Sequence, residues 1–299
     1  MGKKGKKAQA GKPKKLRAKD INKSLDELVE KIEKELKGAD PYAPLPPTED
    51  CPICLLPQSR ELENSAYKPC CGQSICVGCC RESSAFLEVQ NSKRAAKNKP
   101  LLPHTCPLCR GLTPSEGEEC TRRMMLRASK NDSIACLEIG MSYLLGDRFV
   151  PKDELKGIEY LIRAVELGSA DACVNFAEIY GGNNEPIPLV PPDHARSVLF
   201  YWASAQRGNI VGCHNVGSYE HSSGNYDLAV YKWKIAAAVG CQRSMDVLQE
   251  IYMEDMPGKE FICKEDLDGT YRVCYDAQQA LMSEEREKHF GDDYRNLKC

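Results

Sequence analysis

Eight cysteines set in four pairs constrain this chain more than any other feature. They are Cys51-Pro-Ile-Cys54, Cys70-Cys71, Cys76-Val-Gly-Cys79 and Cys106-Pro-Leu-Cys109. Two residues between thiols let one turn present both sulfurs to a single tetrahedral ion. Three such spacings and one adjacent pair supply eight thiolates. That is enough for two closed sites with no position left for water, which points to structural rather than catalytic zinc. The chain has 17 cysteines. Those outside residues 51–109 are scattered singly and read as small apolar core residues.

Charge and hydropathy narrow the setting. The net charge is −2, yet residues 1–19 carry nine Lys and Arg and no acid, which leaves about −11 on the remainder. An acidic body is a poor nucleic-acid surface, so nucleic acid is expected only at the basic tail. No stretch nears the roughly 18 apolar residues of a membrane span. The N-terminus lacks the apolar core of a signal peptide. Lys6 occupies the Ser/Thr position of a myristoylation motif, and Cys299 stands last, outside any prenylation box. A soluble intracellular protein of the cytoplasm or nucleus is expected, with thiols held by metal rather than as disulfides.

Along the chain, residues 1–20 read as a disordered basic tail. It suits a nuclear signal, loose RNA contact or simple solvation. Residues 21–38 read as an amphipathic helix, with Ile21, Leu25, Leu28, Ile32 and Leu36 on one stripe. Ser24 with Glu27 has the form of a capping box and Gly38 that of a stop. The stripe would meet a partner helix or the protein's own body. Residues 39–50 form a Pro-rich linker. Residues 51–110 are the cysteine-rich module, 111–130 a polar junction, 131–285 a helical body of about four units, and 286–299 a C-terminal tail.

The helical body repeats itself. Three runs end in glycine: "KGIEYLIRAVELG" at Gly168, "RSVLFYWASAQRG" at Gly208 and "LAVYKWKIAAAVG" at Gly240. A small residue recurs at Ala135, Ala172, Gly212 and Ser244, followed four places on by Ile139, Phe176, Val216 or Leu248. Small residues at helix crossings and large ones between them predict an α/α solenoid, each helix pair burying a face on its neighbours. The unit from Ala135 to Gly146, continued by "KGIEYLIRAVELG", resembles the Sel-like repeat, a relative of the tetratricopeptide repeat, over roughly residues 131–282. Glu220 departs from the usual Tyr. Gln249 replaces a small residue in a degenerate last unit that reads as a cap.

The order of the cysteine pairs resembles the RING finger. That resemblance implies a cross-brace, with Cys51, Cys54, Cys76 and Cys79 on one zinc and Cys70, Cys71, Cys106 and Cys109 on the other. A competing register keeps Cys71 third and places Gln73 fourth, but a neutral amide is a poor zinc ligand. His104 could substitute in the second site and Cys80 could compete with Cys79. Their simpler readings are a loop histidine and a spare thiol. The family binds a ubiquitin-conjugating enzyme through apolar residues on the zinc loops. Here Ile53, Pro107 and Leu108 match those positions, with Leu55 beside them. Arg110, after the last ligand, matches an Arg that bridges ubiquitin and the conjugating enzyme, a role its forked guanidinium suits. Residues 81–105 begin as a helix carrying Phe86 and Leu87. "CPICLLP", "CCGQSIC" and "CPLCR" together with the repeats resemble a group of RING–repeat proteins found in diatoms.

The expected fold class is thus mainly α: a Sel-like solenoid preceded by a small two-zinc cross-brace domain and a basic tail. The expected function is a RING-type ubiquitin ligase whose solenoid recruits a protein substrate. It would act by orienting a thioester rather than by acid–base chemistry. The alternative is a non-enzymatic zinc-binding scaffold, and an RNA-associated factor ranks below both. No P-loop or dinucleotide fingerprint is present, and His194, His214, His221 and His289 show no nucleophile pattern.

Overall fold

The computed structural model describes residues 17–60, 64–114, 117–147, 149–182 and 187–281. Most of the basic tail, the C-terminal tail and His289 lie outside the described residues.

Helix α1, Ala18–Leu36, starts earlier than the apolar stripe and runs straight through Ser24. The expected capping box is not formed. The Ser24 hydroxyl donates back to the Asp20 carbonyl within the helix, and the Arg17–Asp20 pair closes the first turn instead. The stripe turns inward: Ile21, Leu25, Leu28, Val29 and Ile32 are buried in the main core. Helix α1 lies on helices α5 (Glu154–Glu166) and α7 (His194–Gln206). At its rim Arg196 pairs with Asp26 at 2.8 Å and Arg207 with Glu35 at 3.0 Å.

The Pro-rich linker continues along the same face. Gln206 donates to the Asp40 carbonyl at 3.0 Å, the Tyr42 ring meets Tyr231 at 5.1 Å, and Leu45 packs beside Ile210 and Cys213. Within the linker Ala43 N–H donates to the Asp40 carbonyl at 3.1 Å and Tyr42 N–H to the Asp40 carboxylate at 2.9 Å, and the helical body supplies further partners.

The cysteine-rich module is a two-stranded antiparallel hairpin followed by a helix. Strands β1 (Ser65–Lys68) and β2 (Gln73–Cys76) pair with Lys68 opposite Gln73 and Ser65 opposite Cys76. Helix α2 is Val77–Ala95, with the Cys76 sulfur accepting the Cys79 N–H as its N-cap. Phe86, expected on a helix face, is 66% exposed.

The body contains α3 (Gly117–Ala128), α4 (Ser133–Leu145), α5, α6 (Ala170–Gly181), α7, α8 (Ile210–Ser222), α9 (Tyr226–Ala237), α10 (Gln242–Met253) and α11 (Lys264–Leu281). Consecutive antiparallel pairs stack along the chain, as a solenoid requires. Asp132, Asp153, Ser169, Asp193 and Asn209 each cap a helix by accepting the N–H three residues on. Gly168, Gly208 and Gly240 close α5, α7 and α9 at φ +91°, +91° and +100°, a conformation that costs glycine least. Ala135, Ala172, Gly212 and Ser244 are all buried, as are Ile139, Phe176, Val216 and Leu248. The small residues therefore mark the helix crossings.

The helical body starts sooner than the repeat pattern indicates. The polar junction contains α3, which packs on α4 through buried Ala128 and half-buried Met124 and Met125. Its outer face is held by Glu119, which pairs with Arg122 at 2.6 Å and Arg123 at 2.8 Å. Of the scattered cysteines, Cys136, Cys173, Cys213, Cys241 and Cys274 are buried, while Cys263 is exposed.

Candidate metal centre

Two turns of the same construction supply half of each cysteine cluster. In the first, Cys51 N–H donates to Leu56 O at 2.8 Å and Leu55 N–H donates to Cys51 O at 2.9 Å. In the second, Cys106 N–H donates to Gly111 O at 2.8 Å and Arg110 N–H donates to Cys106 O at 2.9 Å. Each turn is flanked by an isolated bridge, Asp50 with Pro57 and Thr105 with Leu112. Each folds its Cys-x-x-Cys so that both sulfurs face one point. The β1–β2 turn carries Cys70 and Cys71, and β2 with the start of α2 carries Cys76 and Cys79.

These pieces interleave. Cys51, Cys54, Cys76 and Cys79 form one tetrad, and Cys70, Cys71, Cys106 and Cys109 a second, with the sulfurs of each within 4.8 Å of one another. Turn one therefore closes on the third pair and turn two on the second, which ties the segments crosswise. Cys54 and Cys76 are 3.9 Å apart, Cys71 and Cys106 3.9 Å, and Cys70 and Cys109 3.4 Å. Four sulfurs each ~2.3 Å from one zinc would stand about 3.8 Å apart. The spacing suits a shared ion and is far from the roughly 2 Å of a disulfide; among the described residues no cysteine is joined in a disulfide. Two tetrads of this kind could hold metal ions, and their donor set is that of structural zinc.

The sulfurs also differ in acidity. Burial pushes Cys51 up, but the N–H groups of Cys54, Cys76 and Ile53 outweigh it and bring the thiol down to about 6. Cys106, in the same place in the second turn, is likewise raised by burial and more strongly lowered by the N–H groups of Cys109 and Leu108, to about 7. Burial, then sharing with Cys109 and Cys106, pushes Cys70 up to about 12. Burial and its neighbours' sulfurs push Cys79 up as well. Four thiolates cannot crowd together uncompensated, so each turn favours one anion and a cation would be needed to hold all four.

Gln73 lies in β2 opposite Lys68, with an exposed side chain, and neither tetrad includes it. His104 is exposed, and its carbonyl accepts Thr113 N–H at 2.8 Å. The Cys80 sulfur accepts from the Lys68 ammonium at 3.0 Å. Ile53 is 40% exposed and Leu55 73%, while Pro107 and Arg110 are exposed beside the second tetrad. Leu108 is half-buried and packs against the module's small core of Cys51, Ile75, Cys76 and Cys79. The body's histidines are dispersed: His194 sits against Tyr219, His214 bonds Ser244 at 2.9 Å, and His221 bonds the Pro257 carbonyl at 2.9 Å.

Sequence reasoning missed the residues that seat the module on the helical body. Tyr67 donates to Asp132, and Arg127 donates to the carbonyls of Pro69 and Cys70. Arg60 donates to Gly208 O at 3.0 Å. These partners are distant in sequence and carry no local signature.

No family model matches the sequence, and no curated protein matches it. Among solved structures, a Sel1 repeat protein from Oxalobacter formigenes is similar at 23% identity, over 56% of this chain and 67% of that one, with a TM-score of 0.46. The protective antigen c5321 of uropathogenic Escherichia coli, which displays an SLR fold, is similar at 15% identity, over 62% of this chain and 53% of its own length, with a TM-score of 0.34. Among the described residues no helix is long and apolar enough to cross a membrane.

Proposed function

We propose that the protein is a RING-type ubiquitin ligase: two zinc ions fix the module, a ubiquitin-conjugating enzyme docks on it, and the helical body recruits a protein substrate. The observation that carries this reading is the pair of equivalent turns. They hold Ile53 and Leu55 on one side and Pro107 and Arg110 on the other, exposed beside two interleaved tetrads. Exposed apolar side chains on short, metal-braced loops suit a protein contact. The chemistry asked of these residues is orientation. Ile53, Leu55 and Pro107 would hold the conjugating enzyme, and Arg110 would donate to the enzyme and its ubiquitin so that the thioester stays in a reactive posture. No side chain of this protein exchanges a proton or forms a covalent bond in that scheme.

Helix repeats offer extended surfaces for protein partners. Since α1 covers α5 and α7, the recruiting surface is assigned to α4, α6, α8 and α10. We place the protein inside the cell, in the cytoplasm or nucleus, where the ubiquitin system operates.

The test is discharge of ubiquitin from a panel of charged conjugating enzymes onto free lysine, with zinc-loaded protein. Acceleration that Ile53→Ala and Arg110→Ala each abolish supports the reading. No acceleration with any member overturns it in favour of a zinc-braced scaffold. The half-burial of Leu108 against the module's small core is the observation that favours that second reading, because it leaves less of this side chain for docking.

A further inference from the structure

The corner between α3 and α4 grips the turn that carries half of the second tetrad. Arg127, in the last turn of α3, donates from Nε to the Pro69 carbonyl at 3.1 Å and from Nη2 to the Cys70 carbonyl at 2.8 Å. Asp132, the N-cap of α4, divides its carboxylate. Oδ1 accepts Ala135 N–H at 3.1 Å, and Oδ2 accepts the Tyr67 hydroxyl at 2.5 Å. Gly72 closes the turn at φ +73°, and a Cβ there would stand 2.9 Å from Arg127 Nη1 and 3.0 Å from Asp132 Oδ2. The turn therefore needs glycine twice, for its backbone conformation and for the space the corner occupies.

Two features make this more than packing. Cys70 is the residue gripped, and it is a member of the second tetrad. A divalent ion bound by four thiolates leaves a net charge of −2, and the permanently charged guanidinium is a compensating cation brought in by the helical body. A fork that bonds two consecutive carbonyls also fixes the peptide plane from which the Cys70 side chain springs.

We propose that Arg127, at the same corner as the Asp132–Tyr67 pair, is a positioning residue for the second metal site, so that this site is completed by the helical body. The inference rests on the zinc reading. Outer partners of metal ligands typically contribute about 10–100-fold in metal affinity. That is the size of effect expected at one site and not at the other.

The experiment uses the full chain loaded with zinc, and with cadmium for NMR. Release to a chelator is followed for Arg127→Ala, Arg127→Lys and Tyr67→Phe. Leu161→Ala serves as a control that loosens the helical core away from the corner. The expected result is two phases of release, of which Arg127→Ala accelerates one by roughly 10–100-fold and leaves the other unchanged. Only one of the two cadmium resonances should shift. Arg127→Lys keeps the charge without the fork and should restore part of the loss. Tyr67→Phe, which keeps the fold's apolar contacts, should accelerate the same phase by a smaller factor. Leu161→Ala should lower thermal stability with no change in release. Equal acceleration of both phases, or no change in either rate or resonance from a folded Arg127→Ala protein, overturns the inference alone. A wild-type chain that holds fewer than two metal ions overturns the zinc reading and this inference together.

Discussion

Leu55 and Arg110 occupy the same position in two copies of one turn. Each follows the second cysteine of a Cys-Pro-x-Cys sequence, each has φ +58°, and each donates its N–H at 2.9 Å to the carbonyl of the first cysteine. Left-handed backbone disfavours a residue with a Cβ by roughly 1–2 kcal/mol. Glycine would relieve it, yet the sequence places a large apolar side chain at one turn and a guanidinium at the other. We attribute that choice to what the two side chains touch outside the module. Leu55→Gly and Arg110→Gly should each keep both metals, with thermal stability equal to or above wild type, while Leu55→Gly lowers the acceleration of ubiquitin discharge several-fold and Arg110→Gly abolishes it. Opposite movement of stability and activity separates a contact role from a structural one.

Helix α1 belongs to the protein's own core. Leu28 and Ile32 are almost wholly buried against the helical body, so Leu28→Ala and Ile32→Ala should each cost about 2–5 kcal/mol in denaturant unfolding. The rim pair Arg196–Asp26 is partly solvated, and Asp26→Asn should cost under about 1 kcal/mol. Leu28→Ala without loss of stability would mean that α1 is free to leave for another partner.

Gly212 tests the repeat packing. A Cβ at that position would lie 2.8 Å from the Ala205 backbone nitrogen and 2.8 Å from the Ser204 Cβ, neither of which can swing aside. Gly212→Ala should therefore destabilise the body by about 1–3 kcal/mol through overpacking, although alanine occupies the equivalent crossings at Ala135 and Ala172. The α7–α8 contact is the closer one.

Acid should weaken the body through His214. Burial first, and then the charge of Arg243, lower its pKa from 6.5 to about 4. The folded state holds the neutral ring while the unfolded chain takes up a proton. The contribution is therefore complete above pH 6.5 and is lost as pH falls toward about 4. His214→Gln should flatten the stability profile across that window, read from denaturant midpoints at successive pH values.

The repeats and the cysteine pairs were legible because their signals are local, whereas the sorting of the pairs into two tetrads came from the RING resemblance alone. Small residues four places before large apolar ones mark helix crossings, and Cys-x-x-Cys spacing fits one turn. Helix α3 was hidden because its apolar residues, Met124, Met125 and Ala128, are few and sit among paired charges. Ser24 has the form of a cap, yet the helix gains more by starting before it, where Ile21 joins the core. The grip of Arg127 on Cys70 spans 57 residues and has no periodic trace. The left-handed backbone at Leu55 and Arg110 is invisible because neither is glycine. Periodicity showed that α1 has an apolar face but not what covers it.

X-ray absorption at the zinc edge, with metal content per chain, tests the centre most directly. Two interleaved cysteine tetrads predict two zinc ions per chain, each with four sulfur neighbours at about 2.3 Å and no imidazole scattering. Fewer than two ions would contradict the two-zinc account, and a nitrogen or oxygen in the first coordination sphere would contradict all-thiolate ligation and, at the second site, bring His104 or Gln73 back in place of Cys70 or Cys71.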